Sequence, residues 1–377
     1  MRLALVTDWF APRRGGIETQ LLGLAKELSA AGLTPTVVTS FPGPLVWEGV
    51  AVVRLDATLF PGAMVASPIG LVGRLQDAFA AGEFDLVHVH ASVVAPVGLA
   101  ALVAARNLGL PAAITFHSSM RLLPSFLHLL EKTMRLFSNV EICGVSEHIV
   151  AQAQRIFPNT KCRLLPNGHD HAFWSEADDT RDPQRFRLVT AMRLAGTKRP
   201  MALLDVLETM LQRARTGGPF IEMHIAGDGS FAPRLARVIR RRGLSDRVQL
   251  LGWQSSVQLR AQYASADVFL LPATAEAFGI AALEARAAGL PVAARAGNGV
   301  ADYIRTPEDG YLGADDSALA DYIVALRDNG VPAAYRGPRP ALARYAWQRV
   351  GQDHVDLYAA LLARQGAAPR GAKSRAC

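Results

Sequence analysis

The chain has few of the features that mark exported, membrane-spanning or nucleic-acid-binding proteins. Among 377 residues there are three cysteines, Cys143, Cys162 and Cys377. None pair at metal-ligand spacing, and the odd count argues against a disulfide framework, so a reducing compartment is expected. Long apolar runs are missing as well. The longest, 93–105, includes Pro96 and falls short of the ~20 residues that cross a bilayer. The first, 3–6, meets Asp8 almost at once and is too short for a signal peptide. The expectation is a cytoplasmic protein, soluble or peripheral on the inner face of the plasma membrane. Extended blocks of like charge are absent, the longest basic run being 240–242. No platform of interleaved aromatic and basic residues appears, which argues against nucleic acid as a partner. There is no repeat of fixed short period. His88-Val-His90 and His169-Asp-His171 each place two imidazoles close together, but no third ligand stands at a matching spacing, so no metal site is expected.

What is present is ample apolar material, 50% of the chain, and a net charge of +7. The length accommodates two domains with their own cores. The basic balance permits contact with phosphates, nucleic acid or anionic lipid without choosing among them. Strand patterns at 2–7, 36–39, 50–55, 86–90, 112–116, 141–145, 188–191, 221–226, 268–271 and 292–294 alternate with helical ones. Helices are expected after Gly15-Gly16, at 69–81 and 94–107, after the Ser146 cap, at 236–242, from Gly279 to its close at Gly289 and Pro291, and at 347–362. That rhythm predicts an α/β chain with parallel sheets covered by helices.

One stretch carries most of the chemistry. A strand at 268–271 stops at Pro272, and the polar loop after it carries Glu276. Gly279 then opens a helix with Ile280, Leu283 and Ala287 on one face and Glu284 inside it. Free amides at a helix start suit an anion, and two carboxylates can accept hydrogen bonds from hydroxyls. A ligand with both phosphates and hydroxyls would use all of these groups, and a nucleotide sugar is one such ligand. Gly15-Gly16, between a strand and a helix, fits phosphate binding or simple close packing. His117 ends a strand, where a ligand-facing residue belongs. The segment 119–138 mixes leucine, methionine and phenylalanine with Arg121, Lys132 and Arg135. As a helix it would suit either an anionic membrane surface or burial with its cations reaching out to water.

The run Glu276-Ala-Phe-Gly-Ile-Ala-Ala-Leu-Glu284 resembles the paired-glutamate motif of retaining GT-B glycosyltransferases, family 4 in particular. Several other stretches match the same pattern over roughly 1–365. They are Gly289-Leu-Pro-Val292, the opening from Asp8-Trp-Phe-Ala-Pro12 to Gly15-Gly16-Ile-Glu18, the Arg193-Leu loop ending in Lys198, Gly227-Asp-Gly229, and Pro166-Asn-Gly-His-Asp170. The resemblance implies a GT-B fold, two facing Rossmann-like domains with an interdomain cleft. These would be an acceptor domain at 1–168 and a nucleotide-sugar domain at 169–345, with a helix at 346–365 crossing back and a disordered basic tail at 366–377. It implies a catalytic set of His117, Arg193, Lys198 and Glu276, with Arg193 and Lys198 on the diphosphate. The donor-binding set would be Gly15, Gly16, Gly227, Phe278, Gly279, Ile280 and Glu284, with Glu284 on the ribose. Gly168 is expected at the interdomain hinge, with an unusual backbone angle.

The implied reaction moves a hexose or N-acetylhexosamine from a UDP or GDP sugar to a hydroxyl acceptor, with retention and with neither metal nor cofactor. The acceptor would belong to a glycolipid, polysaccharide or glycoconjugate. If it is lipid-linked, 119–138 would dock on an anionic membrane, as the corresponding region does in lipid-modifying relatives. A soluble acceptor of the natural-product or thiol-precursor type, and sugar-nucleotide epimerisation, stay open as alternatives. Two departures stand out. The segment 297–302 reads Gly-Asn-Gly-Val-Ala-Asp where the family has Gly-Gly and then Pro-Glu, and Arg199 replaces a residue that is often small.

Overall fold

The computed structural model describes residues 1–56, 70–92, 95–120, 124–176, 179–336, 340–364 and 366. The chain forms two compact units, Met1–Gly168 together with the stretch from Tyr345 onward, and His169–Arg344.

The first unit is built on eight strands: β1 Arg2–Val6, β2 Thr34–Thr39, β3 Val46–Trp47, β4 Val50–Arg54, β5 Leu86–Ala91, β6 Ala112–Phe116, β7 Val140–Gly144 and β8 Arg163–Leu164. Their order is β3-β4-β2-β1-β5-β6-β7-β8. Every pairing is parallel except the short β3–β4 hairpin at the edge. A parallel sheet with both faces covered needs apolar residues on both sides of its central strands. Every residue of β5 and β6 is buried accordingly. The order reverses at β1, which lies between β2 and β5. In such sheets ligands bind outside the carboxyl ends of the strands, at the point of reversal.

The helices follow local signals. The Ser146 hydroxyl accepts from Ile149 N–H at 3.2 Å and so caps Glu147–Ile156, as the sequence predicts. Helix Gly16–Ala30 ends where Gly32 turns left-handed, at φ +81, with Leu33 N–H bonded to Leu28 O at 3.0 Å. That pattern satisfies the last carbonyls of a helix and favours glycine.

Two expectations need correction. The helix expected over 119–138 spans only Pro124–Met134. Before it, Met120 N–H is held by the Gln152 side chain at 2.9 Å. After it, Arg135 turns to φ +48, and the Glu131 carboxylate takes Phe137 N–H at 2.7 Å. Buried Leu127, Leu136 and Phe137 face the unit's interior, while Leu129 is 55% exposed; Arg121 lies outside the described residues. Gly168 does not adopt a left-handed angle. It is small because the Trp347 ring lies where a Cβ would project, and its N–H and C=O are both bonded to the Gln20 amide at 2.8 Å. The last helix spans Trp347–Arg364, and Arg364 pairs with Glu141 at 2.8 Å. The expected tail beyond Gly366 lies outside the described residues.

The second unit carries β9 Arg185–Ala191, β10 Phe220–Ala226, β11 Val248–Gly252, β12 Val268–Leu271, β13 Val292–Arg295 and β14 Gly310–Gly313. All are parallel, in the order β11-β10-β9-β12-β13-β14. Here the reversal falls between β9 and β12. Helices Pro200–Arg213 and Asp316–Asn329 pack together on this sheet around Leu203, Leu207, Leu319 and Ile323. Neither helix was expected from the sequence, nor was β11 or β14. Among the described residues no helix is long and apolar enough to cross a membrane.

Candidate functional site

The loops at the carboxyl ends of β9 and β12 bring together residues about 80 positions apart. After β9 the chain makes a short 3₁₀ turn, Gly196–Lys198. After β12 it runs through Pro272 into the loop that carries Glu276. Lys198 Nζ lies 2.6 Å from Glu276 Oε2, and both side chains are mostly buried. Arg193 sits on the same β9 loop but is exposed, and no hydrogen bond or ion pair among the described residues joins its side chain to the other two. Gly227 follows β10 at φ +124, and a Cβ there would run into the Met192 carbonyl. Glycine is therefore required for the close approach of two loops.

Gly279, at φ +83, turns the chain into helix Ile280–Ala287 and leaves the first amides of that helix without intrahelical partners. The segment 276–279 is braced from behind. The single Tyr303 hydroxyl proton is shared between the carbonyls of Gly279, at 2.6 Å, and Phe278, at 3.0 Å, and Gly299 N–H bonds Glu276 O at 2.9 Å. Buried Asn298 donates to Ala273 O at 3.1 Å and accepts from Val300 N–H at 3.0 Å. The unusual segment 297–302 thus supports the backbone of the glutamate loop. Sequence reasoning missed Asn298 and Tyr303 in this role, although a lone asparagine between two glycines hinted at a turn with side-chain bonds.

Glu284 lies one turn into the helix. Burial pushes its carboxyl up to about 8, and among the described residues no hydrogen bond to its side chain offsets that cost. For an acid, a raised folded value means that stability is complete below the unfolded value of ~4.5 and is lost as pH rises towards 8. Glu284→Gln removes the ionisable group but keeps the shape. The variant is expected to match the wild type near pH 4.5 and to exceed it at pH 9, by on the order of 2 kcal/mol or a few degrees in Tm. Parallel melting curves at pH 9 would contradict the burial argument.

In the first unit Gly15, extended at φ −177, and Gly16 open the first helix, which follows β1. Glu18 fills the space beside Gly15 and pairs with Arg13. Asp8, just after β1, accepts from Val97 N–H at 2.9 Å, while among the described residues its other, buried oxygen has no hydrogen-bond partner. Burial pushes its carboxyl up to about 6. His117 ends β6 and sits in a group of four histidines. Its Nε2 is 3.0 Å from His90 Nδ1, and Asn167 also bonds it. The His88 and His90 ring centres are 4.3 Å apart with the planes tilted by 38°, and His354 lies 5.7 Å from His88. His88 is bonded at 2.8 Å to both Tyr358 Oη and Thr115 Oγ1. All four imidazoles are pushed down, mainly by burial, His117 to about 3 and His354 to about 4. They are neutral at physiological pH. His88 and His90 are core residues of this kind, and among the described residues no group of three or more His, Cys, Asp or Glu could hold a metal ion. His169 Nε2 lies 3.3 Å from His171 Nδ1.

Residues 14–173 match the family described as Glycosyltransferase Family 4, and residues 175–336 match the one described as Glycosyl transferases group 1. A D-inositol 3-phosphate glycosyltransferase of Salinispora arenicola is 25% identical over 96% of this chain and 90% of its own length. The Mycolicibacterium smegmatis protein of the same name is 27% identical over 89% and 80%. Among solved structures, Anabaena Alr3699/HepE in complex with UDP superposes with a TM-score of 0.75 at 19% identity, covering 96% of this chain and all of its own. Sucrose-phosphate synthase from Thermosynechococcus elongatus gives 0.74 at 20%, covering 96% and 99%. Two successive family matches, relatives aligned over nearly the whole length and the paired parallel-sheet folds agree, and the chain belongs to the GT-B glycosyltransferases of family 4.

Proposed function

We propose that this enzyme transfers a hexose or N-acetylhexosamine, with retention and without a metal, from a UDP sugar to a hydroxyl of a small polyol phosphate. The observation that carries the reading is the Lys198–Glu276 pair at the reversal point of the second sheet, beside helix amides and an unpartnered Glu284. When the sugar–phosphate bond breaks, negative charge builds on the leaving diphosphate. Lys198 and exposed Arg193 supply fixed positive charge for it, the role a metal plays elsewhere. Glu276, released from Lys198 by the incoming diphosphate, accepts from sugar hydroxyls, while the amides of Phe278, Gly279 and Ile280 face the phosphate side. Glu284 accepts from the ribose hydroxyls, which offsets the cost of its burial. The acceptor oxygen bonds to the anomeric carbon on the face the diphosphate leaves, and its proton passes to the departing phosphate oxygen.

The uridine donor is favoured by the UDP and UDP-glucose complexes of the Anabaena protein. The polyol phosphate acceptor is favoured by the named activity of the relatives. A thermal-shift panel of UDP, GDP and ADP with their sugars tests the donor. The UDP compounds are expected to raise Tm, since ligand at a hundred times its Kd adds about 2.7 kcal/mol. A shift with only GDP or ADP would reassign the base, and no shift with any would overturn the donor reading. A lipid-linked acceptor is a second reading, favoured by exposed Leu129 and Lys132 on helix Pro124–Met134. Co-sedimentation with anionic liposomes that is lost in Lys132→Gln would support it over the polyol.

A further inference from the structure

Arg199 follows Lys198 and departs from what that position allows cheaply. Its backbone is left-handed, φ +54 and ψ 51, a conformation that costs a residue with a Cβ. Pro200 comes next, and a following proline further restricts the residue before it. Such a conformation persists only where its surroundings enforce it, and here the side chain is anchored on three sides. Its guanidinium grips both oxygens of Asp316, at 3.0 and 2.6 Å, and donates to Pro272 O at 2.7 Å. Asp316 is itself held by Arg295 at 3.0 Å, and Arg295 bonds Ala314 O at 2.6 Å. Three loops at the carboxyl end of the sheet are thereby tied together: the one after β9 with Lys198, the one after β12 leading to Glu276, and the one after β14. A planar fork matched to a carboxylate fixes direction as well as distance, which lysine cannot do.

We infer that Arg199, anchored on Asp316, is a positioning residue that sets the Lys198 turn against the glutamate loop so that the ammonium meets the leaving diphosphate. This rests on the diphosphate role of Lys198 proposed above. The pairing also accounts for charge. Asp316 is held below the usual carboxylate range against the effect of its burial by Arg199 and Arg295, so the carboxylate stays ionised and keeps the fork in place.

Arg199→Gly tests this directly, because glycine relieves the left-handed strain while removing the clamp. We expect an unchanged or higher Tm with kcat lowered about ten- to a hundredfold, the scale of loss from a misplaced catalytic group. Arg199→Lys, which keeps the charge without the fork, is expected to lose a similar factor. In a Lys198→Ala background, Arg199→Gly should add less than about a twofold loss, since residues acting as a unit are non-additive. A full, multiplicative loss in that background would mark Arg199 as merely structural and overturn the inference. If Lys198→Ala is crippled while Arg199→Gly turns over like the wild type, the inference alone fails. If Lys198→Ala turns over like the wild type, the diphosphate assignment fails and takes this inference with it.

Discussion

Lys198→Ala lowers turnover by about two to three orders of magnitude, the scale seen when one donor to a developing oxyanion is removed. The expectation follows from what the lysine does before and during the reaction. In the free enzyme its Nζ is 2.6 Å from Glu276, so one positive and one negative charge neutralise each other in a largely buried pocket. A diphosphate entering beside them offers a stronger partner, and its charge grows as the glycosidic bond breaks. An interaction that strengthens toward the transition state appears in kcat more than in KM. The variant should therefore show a large fall in kcat, a modest rise in donor KM and unaltered circular dichroism. Removing the cation also leaves Glu276 buried without its partner, which costs stability. Lys198→Met, with Glu276→Gln made alongside it, separates that cost from catalysis. The double variant should regain the stability lost to the unpaired carboxylate, and the kcat of folded Lys198→Ala then reports the catalytic loss. A folded Lys198→Ala protein with near wild-type kcat would sink the assignment.

The sequence revealed the elements whose signals are local. The strand, loop and helix over 268–295 could be read because the apolar run, Pro272, Gly279 and the helical spacing all fall within one window, and β12 and helix Ile280–Ala287 lie within it. The Ser146 cap could be read for the same reason. Strand β14, with glycine at both ends, carries too few branched residues to stand out. Strand β11 hides beside a charged helix end, and β3 is two residues long. The segment 119–138 misled because apolar composition continues past the helix, and a turn at Arg135 then sends Leu136 and Phe137 into the core. At the site, residue types and positions were legible from the family pattern, but their couplings were not. Arg199 and Asp316 are 117 residues apart, and nothing in local spacing joins them. Gly168 shows the converse, a glycine whose reason is Trp347, far along the chain, and not its own backbone angle.

Acidification unfolds the first unit, with most of its stability lost between about pH 6 and 4. The sign follows from the four histidines at its centre. Their folded values lie below the ordinary imidazole value, chiefly through burial. Below ~6.5 the unfolded chain therefore binds protons that the folded chain refuses, and stability falls as pH falls. Each such group contributes a slope of ~1.4 kcal/mol per pH unit, and four contribute roughly 5. Asp8 works in the opposite direction. With its carboxyl raised to about 6, it gains stability as pH drops from there toward ~4, offsetting one histidine. The net slope, on the order of 4 kcal/mol per unit, consumes a typical domain stability of ~5–15 kcal/mol within two to three units. The rings cannot escape by ionising in place. His88 lies between Tyr358 and Thr115, and His90 faces His117 at 3.0 Å, so a second charge in the group would be both desolvated and repelled. Urea unfolding followed by circular dichroism at half-unit steps from pH 7 to 4 measures the slope. His354→Gln, whose side chain is neutral in both states, should flatten it by about a quarter of the histidine contribution whatever its own packing cost, because only the pH dependence is read. A stability that stays level from pH 7 to 4 would mean that the four imidazoles are solvated in the folded chain, contrary to their close and buried arrangement between β5, β6 and the last helix.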